Sequence, residues 1–289
     1  MIKYYDIIKQ SAFIDLLKKN FEFSKNKSNL ISQRAIVGMA NEVDRITALM
    51  DINNSTLAIA NQEMLLRQSE LDLIQYIGIS PRQKIIVNDS ILIDNSLVEK
   101  IIEERLYKNV DFVYSENIIR LNEILLKETK ALKYPSIRMN AAYNLNYTKS
   151  SSGFNLLNES YGPSLGATIQ IPIYSGLVKS QEKVLNYQIK NAELAKEDKY
   201  KMMQNEVAKM YSQYQSLQSQ SKQLTNNYQL ALQLVELTLQ KYQYNQATLL
   251  ELQSAQSSFE NLGYQRIQVN YLHKLAEIEL KRIAYIVKE

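Results

Sequence analysis

Hydrophobic positions between Gly176 and about Gln243 recur at alternating spacings of three and four. The series reads Val207, Met210, Tyr214, Leu217, Ser221, Leu224, Tyr228, Ala231, Val235, Thr238, Tyr242, and only Ser221 and Thr238 are clearly polar. That spacing is a coiled-coil seam, one helix face turned toward a partner. After "YNQAT" a second seam runs Leu252, Ala255, Phe259, Leu262, Arg266, Val269, His273, Ala276, Leu280, Ile283. Two seams joined by a short polar stretch predict an antiparallel helical hairpin turning near Asn245. No proline or glycine interrupts the first helix after Gly176. At ~1.5 Å per residue, its roughly 65 residues would extend about 100 Å.

One region has a different period. In "PSIRMNAAYNLNYTK", Ile137, Met139, Ala141, Tyr143, Leu145 and Tyr147 alternate with Arg138, Asn140, Ala142, Asn144, Asn146 and Thr148. A repeat of two predicts a strand over 137–148 with an apolar and a polar face. A second strand is predicted over 165–173, where Leu165, Ala167, Ile169, Ile171 and Ile173 alternate with Gly166, Thr168, Gln170 and Pro172. Each has about the ~9 to 11 residues that cross a bilayer when tilted. The segment "SSSGFNLLNESYGP" reads as the loop between them. Before the strands, "VDFVYSENIIRLNEILLKETKALKYP" reads as a helix of about six turns stopped by Pro135. Further upstream, "ISPRQKIIVNDSILIDNSLVEKIIEERLYKN" reads as a connector with a short strand at Ile85 to Val87 and a helix from about Ser96 to Tyr107.

The chain also repeats itself at a fixed offset of 207 residues. Asn20 meets Asn227, Leu30 meets Leu237, Ala40 meets Ala247, Ala48 meets Ala255, Leu65 meets Leu272, Glu70 meets Glu277 and Leu73 meets Leu280. Conservative pairs agree, among them Phe21 with Tyr228, Arg34 with Lys241 and Asp44 with Glu251, and no gap is needed. Residues 1–78 are therefore expected to be a second copy of the hairpin, turning at Gly38. Residues 79–110 form the connector, and 111–289 a complete copy of helix, two strands, long helix, tip near 245 and return helix. Met1 maps onto Ala208 under this offset, so the first copy is expected to lack the counterpart of about residues 111–207.

Composition narrows the function. Seven glycines and four prolines among 289 residues suit long helices better than an all-β fold. A net charge of +4 with dispersed basic residues gives no nucleic-acid footprint. The absence of cysteine excludes disulfide and thiol chemistry. With His273 the single histidine, no catalytic constellation, metal site or cofactor is expected. Glu103 and Glu104 are adjacent and diverge on a helix, and "GPSLG" lacks the Lys-Ser/Thr of a phosphate loop. His273 and Arg266, on the seam, read as packed helix residues. The segment "MIKYYDIIKQSAFIDLL" has no secretory-signal pattern, and no run approaches ~18 apolar residues.

In order, helix, strand, loop, strand, long helix, tip and return helix, with a second hairpin copy, resemble the TolC-type outer membrane efflux protein family. "NVDF" at Asn109 to Phe112 resembles that family's Arg-Pro-Asp-Leu helix start, and "YPSIRMNAAY" its Pro-Ser-Leu strand entry. "IQIPIYSG" at Ile169 to Gly176 resembles its strand exit, and "YQYNQATLLELQSAQ" its tip. The resemblance covers essentially the whole chain, as an N-terminally truncated member. It implies a mainly α fold with a small β part: long antiparallel coiled-coil hairpins forming an α-barrel, plus strands given to a trimeric transmembrane β-barrel. It further implies a non-enzymatic homotrimer in the outer membrane, extending into the periplasm. Such a trimer is a passive duct for efflux or type I secretion, working with a periplasmic adaptor and an inner membrane transporter.

The same resemblance assigns residues. Val37, Gly38, Met39 and Ala40 at one tip, and Tyr244, Asn245, Gln246 and Ala247 at the other, would dock the adaptor. Glu251 and its counterpart Asp44 would narrow the pore with a ring of negative charge. Ile137, Met139, Tyr143, Leu145 and Tyr147 would face outer membrane lipid, with Tyr143 and Tyr147 suited to the interface. Read without the resemblance, the tip residues are an ordinary hairpin turn and Glu251 lies on a solvated helix face. The whole chain then reads as a soluble, elongated coiled-coil scaffold, or as a channel remnant with no transport function.

Overall fold

The computed structural model describes residues 1–36, 38–83, 85, 87, 89–94, 97–149 and 157–285. In chain order the elements are α1 (Ile2–Ile36), α2 (Glu42–Ile77), α3 (Glu99–Glu103), a 3-10 turn (Leu106–Lys108), α4 (Val110–Ala131), β1 (Ser136–Lys149), β2 (Leu157–Gln170), α5 (Gly176–Gln243) and α6 (Leu249–Ile283). The fold is mainly α with a small β part. It divides into one unit made of Met1–Leu106 and Gln204–Glu289 and a second made of Tyr107–Met203.

The first unit packs the α1–α2 hairpin against the C-terminal part of α5 and α6. Both seams face inward: Val207, Val235, Phe259 and Leu280 are completely buried, and Leu252 and Ala255 nearly so. One core cluster joins Leu16 of α1 to Ala231 and Val235 of α5 and to Ala255, Phe259 and Ile267 of α6. Around Phe259, the rings of Phe23 and Tyr228 lie 5.4 and 5.1 Å away at their centroids. Gly263 sits mid-helix in α6, where glycine is otherwise unfavourable. Its place is explained by Leu16, whose Cδ1 would lie 2.4 Å from a Cβ there, so α1 can approach α6 only over a bare backbone. His273 and Arg266 are packed as expected. The Arg266 guanidinium lies 4.0 Å from the Tyr228 ring centroid, and the His273 ring 4.6 Å from that of Tyr214.

In the second unit α4 runs alongside the first part of α5. Lys133 pairs with Glu182 at 2.6 Å, Lys199 with Asp111 at 3.0 Å and Lys196 with Glu116 at 3.5 Å, and the Phe112 and Tyr200 rings meet edge to face. Asn109 caps α4, its side chain accepting from the Asp111 N–H. β1 and β2 form a two-stranded antiparallel sheet in continuous register from Ser136 opposite Gln170 to Lys149 opposite Leu157.

Three expectations need correction. The second strand is Leu157–Gln170 rather than 165–173. It starts earlier because Leu157 to Ser164 pair with β1 in spite of their loop-like Gly162 and Pro163. It ends at Gln170, before Pro172, whose missing N–H cannot serve a ladder. The expected helix over 96–107 is a five-residue helix and a 3-10 turn, and Ser96 lies outside the described residues. Ile85 and Val87 are not in a strand, and Ile86 of that expected strand also lies outside the described residues.

Candidate functional site

The two helix tips are built alike. At the first, Gly38 takes a φ of 74°, and the Met39 N–H reaches back to the Arg34 carbonyl at 2.8 Å. At the second, Asn245 takes a φ of 59°, and the Gln246 N–H reaches back to the Lys241 carbonyl at 2.8 Å. This six-to-one bond closing on a left-handed residue is the Schellman ending of a helix. Each pair of residues is separated by the 207 positions read from the sequence. The left-handed conformation costs an ordinary residue about 1–2 kcal/mol, which glycine avoids and asparagine partly avoids. Gly38→Ala is therefore expected to cost about 1 kcal/mol, because nothing lies within 4 Å of the added Cβ to compound the backbone cost. Thermal melting should show a lowered midpoint for Gly38→Ala and none for Asn245→Gly.

The chain re-enters helix at both tips through a reciprocal capping box. Asn41 accepts from the Asp44 N–H while the Asp44 carboxylate accepts from the Asn41 N–H. Thr248 and Glu251 do the same, with the Thr248 N–H 2.7 Å from the Glu251 carboxylate. The two carboxylates expected to narrow the pore are thus also the third residues of caps at the same end of the unit, Glu251 exposed and Asp44 half-buried. The Thr248 backbone N–H and hydroxyl hold the Glu251 carboxyl below its usual range, so it stays ionised at neutral pH.

Beneath both tips lies a shared core of Ile31, Ala48, Tyr242 and Leu252, against which Ala40 and Ala247 are half-buried. Arg34 ties the hairpins together, lying over the Tyr242 ring and donating to the Tyr242 carbonyl. Ala40 and Ala247 therefore close the core, while Gly38, Met39, Tyr244, Asn245 and Gln246 are exposed. Val37 lies outside the described residues. Sequence reading missed three exposed apolar neighbours: Ile36 at 85%, Val43 at 70% and Leu250 at 75%. Val43 and Leu250 are themselves a 207-offset pair, each two residues past its N-cap, and that match was the available signal.

The sheet carries two different faces. Cross-strand partners share a face, so Ile137 sits with Ile169, Met139 with Ala167, Ala141 with Leu165, Tyr143 with Pro163 and Leu145 with Tyr161. These five rows are wholly apolar apart from the tyrosine hydroxyls. The next row, Tyr147 with Glu159, ends them. On the other face Arg138 pairs with Thr168, Asn140 with Gly166, Ala142 with Ser164, Asn144 with Gly162 and Asn146 with Ser160. Asn144 donates to the Ser164 hydroxyl at 3.1 Å. Ile137, Met139, Tyr143, Leu145 and Tyr147 are all more than 60% exposed, and every other residue of the two strands is exposed except the half-buried Gly162. Tyr134 and Tyr174 stand exposed just outside the strand ends on the helix side.

Structures with this arrangement are known. A membrane protein from Pseudomonas aeruginosa superposes with a TM-score of 0.75 at 18% identity, over 98% of this chain and 66% of its own. The outer membrane protein VceC from Vibrio cholerae gives 0.71 at 14%, over 98% and 67%. The chain has the TolC-like fold of outer membrane channels. The open state of the Neisseria gonorrhoeae MtrE outer membrane channel shares this channel fold, with a TM-score of 0.68 at 14% identity, over 97% of this chain and 65% of that one. This chain thus spans about two thirds of the length of the channels it resembles. No family model matches the sequence, and no curated protein does at a significant level. Among the described residues, no helix is long and apolar enough to cross a membrane.

Proposed function

We propose that the chain is a subunit of an outer membrane efflux or secretion duct, passive and non-enzymatic. The observation that carries this reading is the sheet register. It sorts an apolar face and an amide- and hydroxyl-rich face across two strands that follow α4 and precede α5. Five apolar rows from residue 137 to 145 span about 27 Å along the strand, or about 21 Å at a tilt of ~40°, close to the ~25 Å apolar band of membrane barrels. In this reading the apolar rows meet lipid and the Asn, Ser and Thr face meets water in the lumen. Tyr134 and Tyr174 at one end and Tyr147 and Tyr161 at the other supply the interfacial aromatics.

A two-stranded sheet leaves an unpaired edge on each side, which lipid does not tolerate. In this reading the subunit assembles as a homotrimer and contributes these strands to one shared barrel. Two strands from each of three subunits give six, short of the about eight of the smallest membrane barrels, so the closed wall needs strands beyond this pair. At the helix tips, the exposed Met39, Tyr244, Val43 and Leu250 form an apolar rim suited to a periplasmic adaptor, which would couple the duct to an inner membrane transporter. Glu251 and Asp44, repeated around the axis, would set a negative field at the entrance.

Glu251→Gln tests this placement with little disturbance, because glutamine also completes a capping box and only the charge is lost. In planar bilayers under a salt gradient, the reversal potential of the variant should move toward zero from the cation-selective side. A protein that forms no channel in any assembly sinks the duct reading. A channel with an unchanged reversal potential removes Glu251 from the constriction.

A further inference from the structure

His273 is 2% exposed, and neither ring nitrogen has a hydrogen-bond partner among the described residues. Its ring lies against that of Tyr214, whose hydroxyl donates to the Asp94 carbonyl at 2.7 Å. Asp94 belongs to the segment after α2 that crosses α5 and α6, and the same few side chains hold that segment down. Lys274 donates to the Leu92 carbonyl at 2.6 Å, Glu277 accepts from the Asp94 N–H at 3.0 Å, and Lys281 reaches the Asp94 carboxylate at 2.9 Å. Tyr211 reaches the Leu97 carbonyl at 3.4 Å. Leu92, Asp94 and Leu97 are thus strapped onto the hairpin, and His273 lies against the tyrosine that buckles Asp94 down.

The charges beneath the strap already balance. Glu277 and Asp94 offset Lys274 and Lys281, and Glu277 accepts from both ammoniums and from a backbone N–H. The groups facing His273 are Glu277 and Lys274 on its own helix, Tyr214 on α5 and Asp94 on the strap, with Tyr5 of α1 under the Lys274 ammonium. A proton on the imidazole would add an uncompensated charge and make both ring nitrogens donors, where neither meets an acceptor among the described residues.

We propose that this strap is an acid-released latch: protonation of His273 opens residues 92–94 from the α5–α6 hairpin. The ring is held neutral by burial, below its ordinary value of 6.5, with Lys274 acting in the same direction and Glu277 against it. Once opened, the ring meets water and takes its proton at that ordinary value. The closed strap is therefore fully favoured above about pH 6.5 and loses stability as pH falls below it, by up to tenfold in the opening constant per pH unit. The latch does not depend on the duct reading, since it concerns the first unit alone.

The test is amide hydrogen exchange of residues 92–94 in the full chain between pH 7.5 and 5.5, corrected for the intrinsic pH dependence. His273→Leu is the comparison, because Leu66 occupies the matching position of the first copy. Wild type should lose protection there, by up to about tenfold over the range, while protection in His273→Leu stays level. His273→Gln, polar but not titratable, should also be level and covers the case in which the leucine variant folds poorly. An acid response of equal size in either variant, or none in wild type, overturns the proposal.

Discussion

Glu277→Ala should cost the first unit about 3–5 kcal/mol in urea denaturation, the range for removing one partner from a buried ion pair. The Glu277 side chain is 2% exposed and is the hub of the group under residues 92–94. It accepts from Lys274 at 2.9 Å, from Lys281 at 2.7 Å and from the Asp94 N–H at 3.0 Å. Alanine strands the mostly buried Lys274 ammonium and leaves a backbone donor unpaired, and both costs exceed whatever the lost carboxylate spared in desolvation. The chain supplies its own control in Glu70, the 207-offset counterpart, which pairs with Arg67 at 2.8 Å where the arginine is 42% exposed. Glu70→Ala is expected to cost no more than about 1 kcal/mol.

The pH dependence separates Glu277 from His273. Burial pushes the Glu277 carboxyl up, but Lys281, the Asp94 N–H and Lys274 together hold it below its ordinary 4.5. A depressed carboxyl contributes stability above its unfolded value and loses it as pH falls through the lower folded value. Wild type should therefore show an acid-induced loss beginning near pH 4.5 that Glu277→Ala lacks. The His273 window, near 6.5, should remain in that variant.

Two kinds of regularity made much of the fold legible. The three-four spacing identified the buried face of α5 and α6, because a helix seam is local geometry and the residues that fill it are close in sequence. The 207-residue offset located the first hairpin and both tips, and the backbone repeats it closely. Gly38 and Asn245 are both left-handed, Gly78 and Tyr285 are both left-handed, and Asn41–Asp44 and Thr248–Glu251 are the same cap. Long-range pairing was harder to read. Leu157 to Ser164 has the composition of a loop, and only the register against β1 makes it a strand, since strand preference depends on the partner face. The order of residues 91–94 was invisible for the same reason. It comes from Tyr214, Lys274, Glu277 and Lys281, more than 100 residues further along the chain. The apolar tip neighbours Val43 and Leu250 were overlooked because they stand off the seam, where exposure rather than packing gives them meaning.

Leu165→Arg should abolish assembly into a membrane barrel, while Ala142→Arg should not. Leu165 lies opposite Ala141 in the third of five apolar rows, and Ala142 lies opposite Ser164 on the amide and hydroxyl face, one residue away along β1. Both positions are open in the isolated chain, so neither change alters packing within it. A difference between them can arise only from what covers each face after assembly. An arginine at the middle of a bilayer's apolar band costs about 2–4 kcal/mol, and a homotrimer incurs that cost once per subunit. In a water-filled lumen already carrying Arg138, the same side chain costs little. In an assembly that supplies the remaining strands of the wall, membrane extraction and heat-modifiable migration in detergent should thus show a folded barrel for wild type and Ala142→Arg and its absence for Leu165→Arg. Equal tolerance at both positions, with a protein that stays soluble, would make the sheet an exposed hairpin on a coiled-coil scaffold. Equal loss at both would place protein rather than water against the polar face, and the lumen would have to be sought elsewhere.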